Sequence, residues 1–202
     1  MGWKLSMVLI NTEQDFDKKE VFDALGYYNL EKSDPQDFYS IMNPEEDKIY
    51  IGKYKGNIII CMQDLPLESL DDKVSKAEAV FSKKFPGTDV ATFVLHSVVN
   101  LWGYSIVKDG KKIRARAGNS EAGTAIECGT ILEEEKELLS KSTLNDEGER
   151  VFIFDDMPED EFLDDQVGEN FVFEISGRYL GEDLSGCDAL FETQFEGYTF
   201  ST

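Results

Sequence analysis

The alternation of apolar and polar positions divides the chain into extended and helical stretches. Trp3 to Ile10 is a short apolar run that predicts a buried first strand. In "FDKKEVFDALG" (16–26) the pattern turns helical. Asp17 and Glu20 stand at capping-box spacing, Phe16 and Val21 form a hydrophobic staple, and Gly26 supplies a left-handed stop. A polar stretch through Pro35 and Pro44 reads as loop. "DKIYIGKYKGNIIICMQ" (47–63) then alternates, breaks at Lys55-Gly56-Asn57 and resumes, which predicts a β-hairpin.

A helix is expected from Ser69, with Asp72 three residues on. Leu70, Val74, Ala77, Phe81 and Phe85 fall along one face of it, and Pro86-Gly87 ends it. "FVLHSVVNLWGYSIVKDGKKIRARAG" (93–118) lies within three predicted strands, about 90–98, 101–108 and 111–117, the last two joined at Asp109-Gly110. A short strand over 124–128 follows, and Thr130 with Glu133 opens a helix that runs through Ser140. "RVFIF" (150–154) predicts a strand that runs into the acidic "DDMPEDEFLDD" (155–165). Over 165–181, Phe171, Phe173 and Ile175 alternate as in a strand, whereas Phe171, Ile175 and Tyr179 lie four apart as on a helix. Gly181 as a stop favours the helix. "ALFETQFEGYTF" (189–200) closes the chain with a strand-like aromatic alternation. No internal repeat appears, so the segments add up to an α+β protein. The expectation is a single domain over 1–202, with a mainly antiparallel sheet covered by about four helices.

Composition sharpens this picture in one respect. A chain of 202 residues with 41% hydrophobic and 12% aromatic residues supports a packed core despite a net charge of -21. The charge is unevenly placed: residues 1–116 carry 16 basic and 18 acidic side chains, and residues 117–202 carry 4 and 23. A strongly acidic C-terminal part repels nucleic-acid phosphates and anionic lipid and attracts basic proteins; as a solvated face it also confers solubility. Nucleic acid and membrane are therefore not expected as partners. Cys61, Cys128 and Cys187 are odd in number and form no C-x-x-C pair, which fits a reducing, cytoplasmic setting better than a disulfide framework.

The candidate chemistry is sparse. His96 is the only histidine and Ser97 follows it, but in an extended segment adjacent side chains point to opposite faces, so the two are not expected to form a nucleophile pair. "GNSEAG" (118–123) has Ala122 where a nucleophile elbow requires glycine, and reads as a turn between strands. Lys112, Arg114 and Arg116 alternate along one strand. Such a row either holds a carboxylate or phosphate ligand or pairs with the acidic half of the same chain. Trp102 and Tyr104 invite a small-ligand reading, yet they share a face with Ile106 as core residues do. The acidic run lacks EF-hand spacing, one histidine allows no paired-histidine metal motif, and no phosphate-binding glycine motif occurs. No metal or cofactor is expected.

Three stretches resemble a family of uncharacterised bacterial proteins classed as a domain of unknown function. They are the opening Met1-Gly2-Trp3-Lys4, "LHSVVNLWGYSIVKDGKKIR" from Leu95 to Arg114, and the glutamate-capped helix after Gly129. The resemblance implies a bacterial, soluble, intracellular protein and brings no activity or catalytic residues with it. The residues themselves favour a non-enzymatic binding protein with an acidic surface for a basic partner. Asp155, Asp156, Glu159, Asp160 and Glu161 form the acidic part of that surface, with Lys112, Arg114, Arg116 and Trp102 as further binding candidates. The alternative is a hydrolase- or transferase-type enzyme with His96 as base and Arg114 and Arg116 as anion clamp.

Overall fold

A computed structural model describes residues 2–201. Its first half contains β1 (Lys4–Ile10), α1 (Lys18–Leu25), β2 (Tyr28–Asp37), α2 (Phe38–Ile41), β3 (Lys48–Tyr54), β4 (Asn57–Cys61), α3 (Asp64–Glu68), α4 (Lys76–Lys84) and β5 (Asp89–His96). The second half contains β6 (Leu101–Lys108), β7 (Lys111–Asn119), β8 (Gly123–Gly129), α5 (Glu133–Ser140), β9 (Ser142–Leu144), β10 (Arg150–Phe154), β11 (Met157–Leu163), α6 (Asp164–Leu180), α7 (Asp188–Phe191) and β12 (Gln194–Ser201). Nine strands form one sheet in the order β2-β12-β3-β4-β1-β5-β6-β7-β8, and β11-β10-β9 form a second. All the pairings are antiparallel, which gives the α+β architecture.

Both faces of the large sheet are buried, which explains why β1 and β4 read as unbroken apolar runs. On one face Leu5, Leu9, Phe93, Trp102 and Tyr104 pack against Phe171, Val172 and Ile175 of α6 and Phe152 of β10. On the other, Val8, Ile58, Ile60 and Val90 pack against Val21 and Phe22 of α1 and Ala77 and Phe81 of α4. Each such side chain contributes roughly 1.5–3 kcal/mol by leaving water, so these two layers dominate the stability.

The helix α1 carries the expected signals: Asp17 accepts a hydrogen bond from the Glu20 N–H, and Gly26 ends it at φ 101°. The segment 166–180 is helical. Gly168 lets α6 lie directly on Trp102, since a Cβ at that position would meet the indole at 2.1 Å.

Several boundaries differ from the sequence expectation. The helix expected from Ser69 begins at Lys76, where Ser75 and Glu78 form a reciprocal capping box, because Asp64–Glu68 forms a separate short helix. The helix expected from Thr130 starts at Glu133, with Glu135 reaching back to the Leu132 N–H at 2.7 Å. The strand expected over 90–98 stops at His96, and Ser97–Val99 is a 3-10 turn that ends at Asn100 with φ 46°. The polar stretch before Pro44 contains β2, an edge strand exposed on both faces, and the acidic run folds as β11, also an edge strand.

Candidate functional site

His96 ends β5 half-buried, and its Nδ1 has no hydrogen-bond partner among the described residues. By alternation along β5 it shares a face with Val90, Thr92 and Val94. Ser97 points elsewhere: its Oγ accepts the Trp3 N–H at 2.7 Å and donates to Glu169 of α6 at 2.7 Å, tying the start of the chain to that helix. Ser97 is thus engaged by Trp3 and Glu169 and not by His96, and the reason is the turn that begins at Ser97 as much as the pleat.

The basic row does not stand on one face. Ile106 pairs with Arg114 and Val107 with Lys112, so Ile113 is an extra residue in β7 and Lys112 turns to the opposite side of the sheet. There its Nζ donates to both oxygens of Glu78 (2.8 and 2.9 Å), to Ser105 Oγ (2.9 Å) and to the Ser69 carbonyl (2.9 Å). Glu78 also accepts the Ser75 N–H at 2.7 Å, so Lys112 neutralises the residue that caps α4.

Arg114 and Arg116 face α5 and α6 and are 2% and 0% exposed. Arg114 donates through Nε to both oxygens of Glu135 (3.0 Å each), and through Nη2 to Glu135 (2.6 Å) and Glu127 (3.1 Å). The same Glu135 carboxylate accepts the Tyr104 hydroxyl at 2.6 Å. Burial is the largest single influence on Arg114 and works against its charge, but the hydrogen bonds to Glu135 and Glu127 together with the electrostatic influence of Glu135 and Tyr104 outweigh it and raise the guanidinium pKa. Arg116 donates to Asp164 at 2.5 Å and lies over the rings of Phe171 and Trp102, at 4.3 and 5.2 Å from their centroids. Arg150 joins Glu127 (3.3 Å) to Asp164 (3.9 Å). Burial alone would raise the Glu127 pKa, yet the Arg114 hydrogen bond and the charges of Arg116 and Arg150 hold it below the usual carboxylate range.

Of the two expectations for the basic row, pairing within the chain describes Arg114 and Arg116: Glu127, Glu135 and Asp164 all belong to 117–202. An anion clamp requires guanidinium groups that reach a ligand, and these are enclosed. The sheet also separates them from His96, which lies on its other face. Trp102 is a core residue, stacked on Phe171 and covered by Gly168.

Asp155 and Asp156 form the turn between β10 and β11, and Glu159, Asp160 and Glu161 lie along β11. All five are exposed, and none has an ion-pair partner among the described residues. Sequence reasoning missed two concave surfaces, because each is assembled from distant segments. One, of about 500 Å³, is walled by Trp3, Tyr39, Met42 and Phe191. The other, of about 410 Å³, lies between the β7–β8 turn and the start of α6 and is lined by Thr124, Arg150, Asp164 and Asp165. Among the described residues no group of three or more histidine, cysteine or acidic side chains is placed to hold a metal ion, and no helix is long and apolar enough to cross a membrane.

No curated protein and no solved structure matches the chain. A family model described as Family of unknown function (DUF6928) matches residues 13–147, well over half of the sequence, and the chain belongs to that family.

Proposed function

We propose that this chain is a non-enzymatic binding protein of the bacterial cytoplasm, whose acidic β10–β11 hairpin receives a basic protein partner. The observation that carries this reading is the contrast between internal and external charge. The cations Lys112, Arg114 and Arg116 are consumed by buried or partly buried carboxylates, whereas Asp155, Asp156, Glu159, Asp160 and Glu161 stand in solvent without a counter-charge among the described residues. Carboxylates so placed raise the local concentration of a cationic partner and accelerate its docking. The hairpin lies beyond the family-matched span of 13–147, which fits a partner particular to this chain. The free cysteines, with Cys61 and Cys187 buried, fit a reducing compartment. The hydrolase or transferase alternative draws no comparable support, since His96 and the two arginines lie on opposite faces of the sheet.

The test is titration with a lysine-rich peptide across a salt series. The hairpin variant carries Asp155→Asn, Asp156→Asn, Glu159→Gln, Asp160→Asn and Glu161→Gln. A control variant neutralises Glu13, Glu31, Asp34, Glu46 and Glu68, which are equally exposed. With each exposed pair worth about 0.2–1 kcal/mol, the hairpin variant should lose about tenfold or more in affinity and much of the salt dependence, and the control far less. Equal losses in the two variants would reduce the hairpin to a share of a diffuse negative field.

A further inference from the structure

The two sheets present four strand edges, and they are not equally protected. An open edge offers unpaired N–H and C=O groups to any extended chain, and soluble proteins blunt it with proline, charge, bulges or brevity. β2 carries Pro35 together with Glu31, Lys32, Asp34 and Asp37, and its pairing with β12 shifts register twice. β9 is three residues long. β11 carries Pro158, Glu159, Asp160 and Glu161. β8 has neither proline nor lysine. It is blunted only by one charge, Glu127, and by a register shift at Ala125, which leaves Ile126–Gly129 in regular ladder with Arg114–Ala117.

The chemistry around this edge departs from the rest of the molecule. In a chain with 30% charged residues, Gly123 to Leu132 contains a single one, Glu127, and Arg114, Arg116 and Arg150 surround it. Three isoleucines border the edge: Ile126 is half-buried, Ile113 is 36% exposed and Ile131 is 48% exposed. Ile113 and Ile131 are neighbours, because the Ile113 carbonyl accepts the Thr130 N–H at 3.0 Å. At this apolar-flanked edge, whose one carboxylate is surrounded by arginines, a second copy of a protein of net charge -21 meets little local repulsion.

We infer that β8 is a self-association edge, at which two copies of the chain pair β8 antiparallel to β8 about a twofold axis. Antiparallel pairing of one strand with its own copy is self-complementary, so the contact closes as a dimer instead of growing into a fibre. The two nine-stranded sheets then run on as one, and the isoleucines of each copy cover the junction. This inference is independent of the basic partner proposed for the hairpin, and salt separates the two. Added salt weakens hairpin binding, whereas it screens the repulsion between the acidic protomers and tightens the dimer.

The experiment is sedimentation velocity of the full chain over a wide concentration range, at low and high salt, for the native protein and for Ile126→Lys, Ile131→Lys and Pro35→Ala. The expected result is a concentration-dependent dimer that salt strengthens. Both lysine variants should abolish it with an unchanged far-UV circular dichroism spectrum, and the change at the β2 edge should leave it intact. Ile131 lies outside any strand, so Ile131→Lys keeps the test valid if Ile126→Lys fails to fold. A native protein that stays monomeric at every concentration and salt overturns the inference. So does a dimer that survives Ile131→Lys, or one that salt dissociates.

Discussion

Glu135→Gln tests the internal charge network directly. The native carboxylate is fully buried and accepts hydrogen bonds from Tyr104 (2.6 Å), from Arg114 (2.6 and 3.0 Å) and from the Leu132 N–H (2.7 Å). Glutamine keeps the volume but removes the charge, and its NH2 group sets a donor against the Arg114 guanidinium. Breaking one side of a buried ion pair costs about 3–5 kcal/mol, because the remaining charge is left without its counter-ion. For a chain of 202 residues that lowers Tm by roughly 6–20 °C. Urea and thermal unfolding, followed by circular dichroism with the m-value checked for constancy, measure the loss. The double variant Glu135→Leu with Arg114→Met should be more stable than the sum of its two single changes predicts, since an apolar pair carries no desolvation penalty. A Glu135→Gln cost below about 1 kcal/mol, or strictly additive single changes, would refute the reading of Glu135 and Arg114 as a mutually dependent buried ion pair.

Three further outcomes follow from the same geometry. Gly168→Ala places a methyl group against the Trp102 ring at 2.1 Å, so α6 must shift; unfolding should show a loss of about 1–3 kcal/mol with altered tryptophan fluorescence. Lys112→Met leaves Glu78 buried with no cation, and should cost about 3–5 kcal/mol in denaturant unfolding, most of it recovered when Glu78→Gln is added. The Glu127 pKa is depressed on folding, so its contribution is present above the ordinary carboxylate pKa and is lost as pH falls through the folded value. Glu127→Gln should therefore lose stability at neutral pH while flattening the acid limb of the stability curve, measured by urea unfolding across pH 3–6.

How much of this was legible depends on the range of the interactions involved. The ends of α1 were readable because Asp17, Glu20 and Gly26 act within a few residues of one another. The core role of Trp102 and Tyr104 was readable from alternation with Ile106. The start of α4 was misplaced because Ser69 with Asp72 and Ser75 with Glu78 offer the same spacing. The second is chosen by a contact 34 residues away, where Lys112 neutralises the buried Glu78. The extra residue at Ile113 sends Lys112 to the far face; it follows from the register against β6, which no local pattern in β7 encodes. The strands β2 and β11 were invisible for a different reason. Both are edge strands exposed on each side, so no buried face imposes a period of two. That Arg114 and Arg116 would meet carboxylates of 117–202 was readable as a balance of charge, though which carboxylates was not.

In the proposed function, Lys112, Arg114 and Arg116 turn inward while the clustered carboxylates of 155–161 stand in solvent, and this cluster receives the cationic partner. Mapping amide chemical-shift changes on adding a lysine-rich peptide at low salt tests it most directly. The predicted result is a set of shifts centred on residues 155–161 that disappears as salt rises, with the amides around Glu135 and Glu78 undisturbed. Shifts of equal size over the acidic residues of every face, or centred on the buried arginine network, would contradict it.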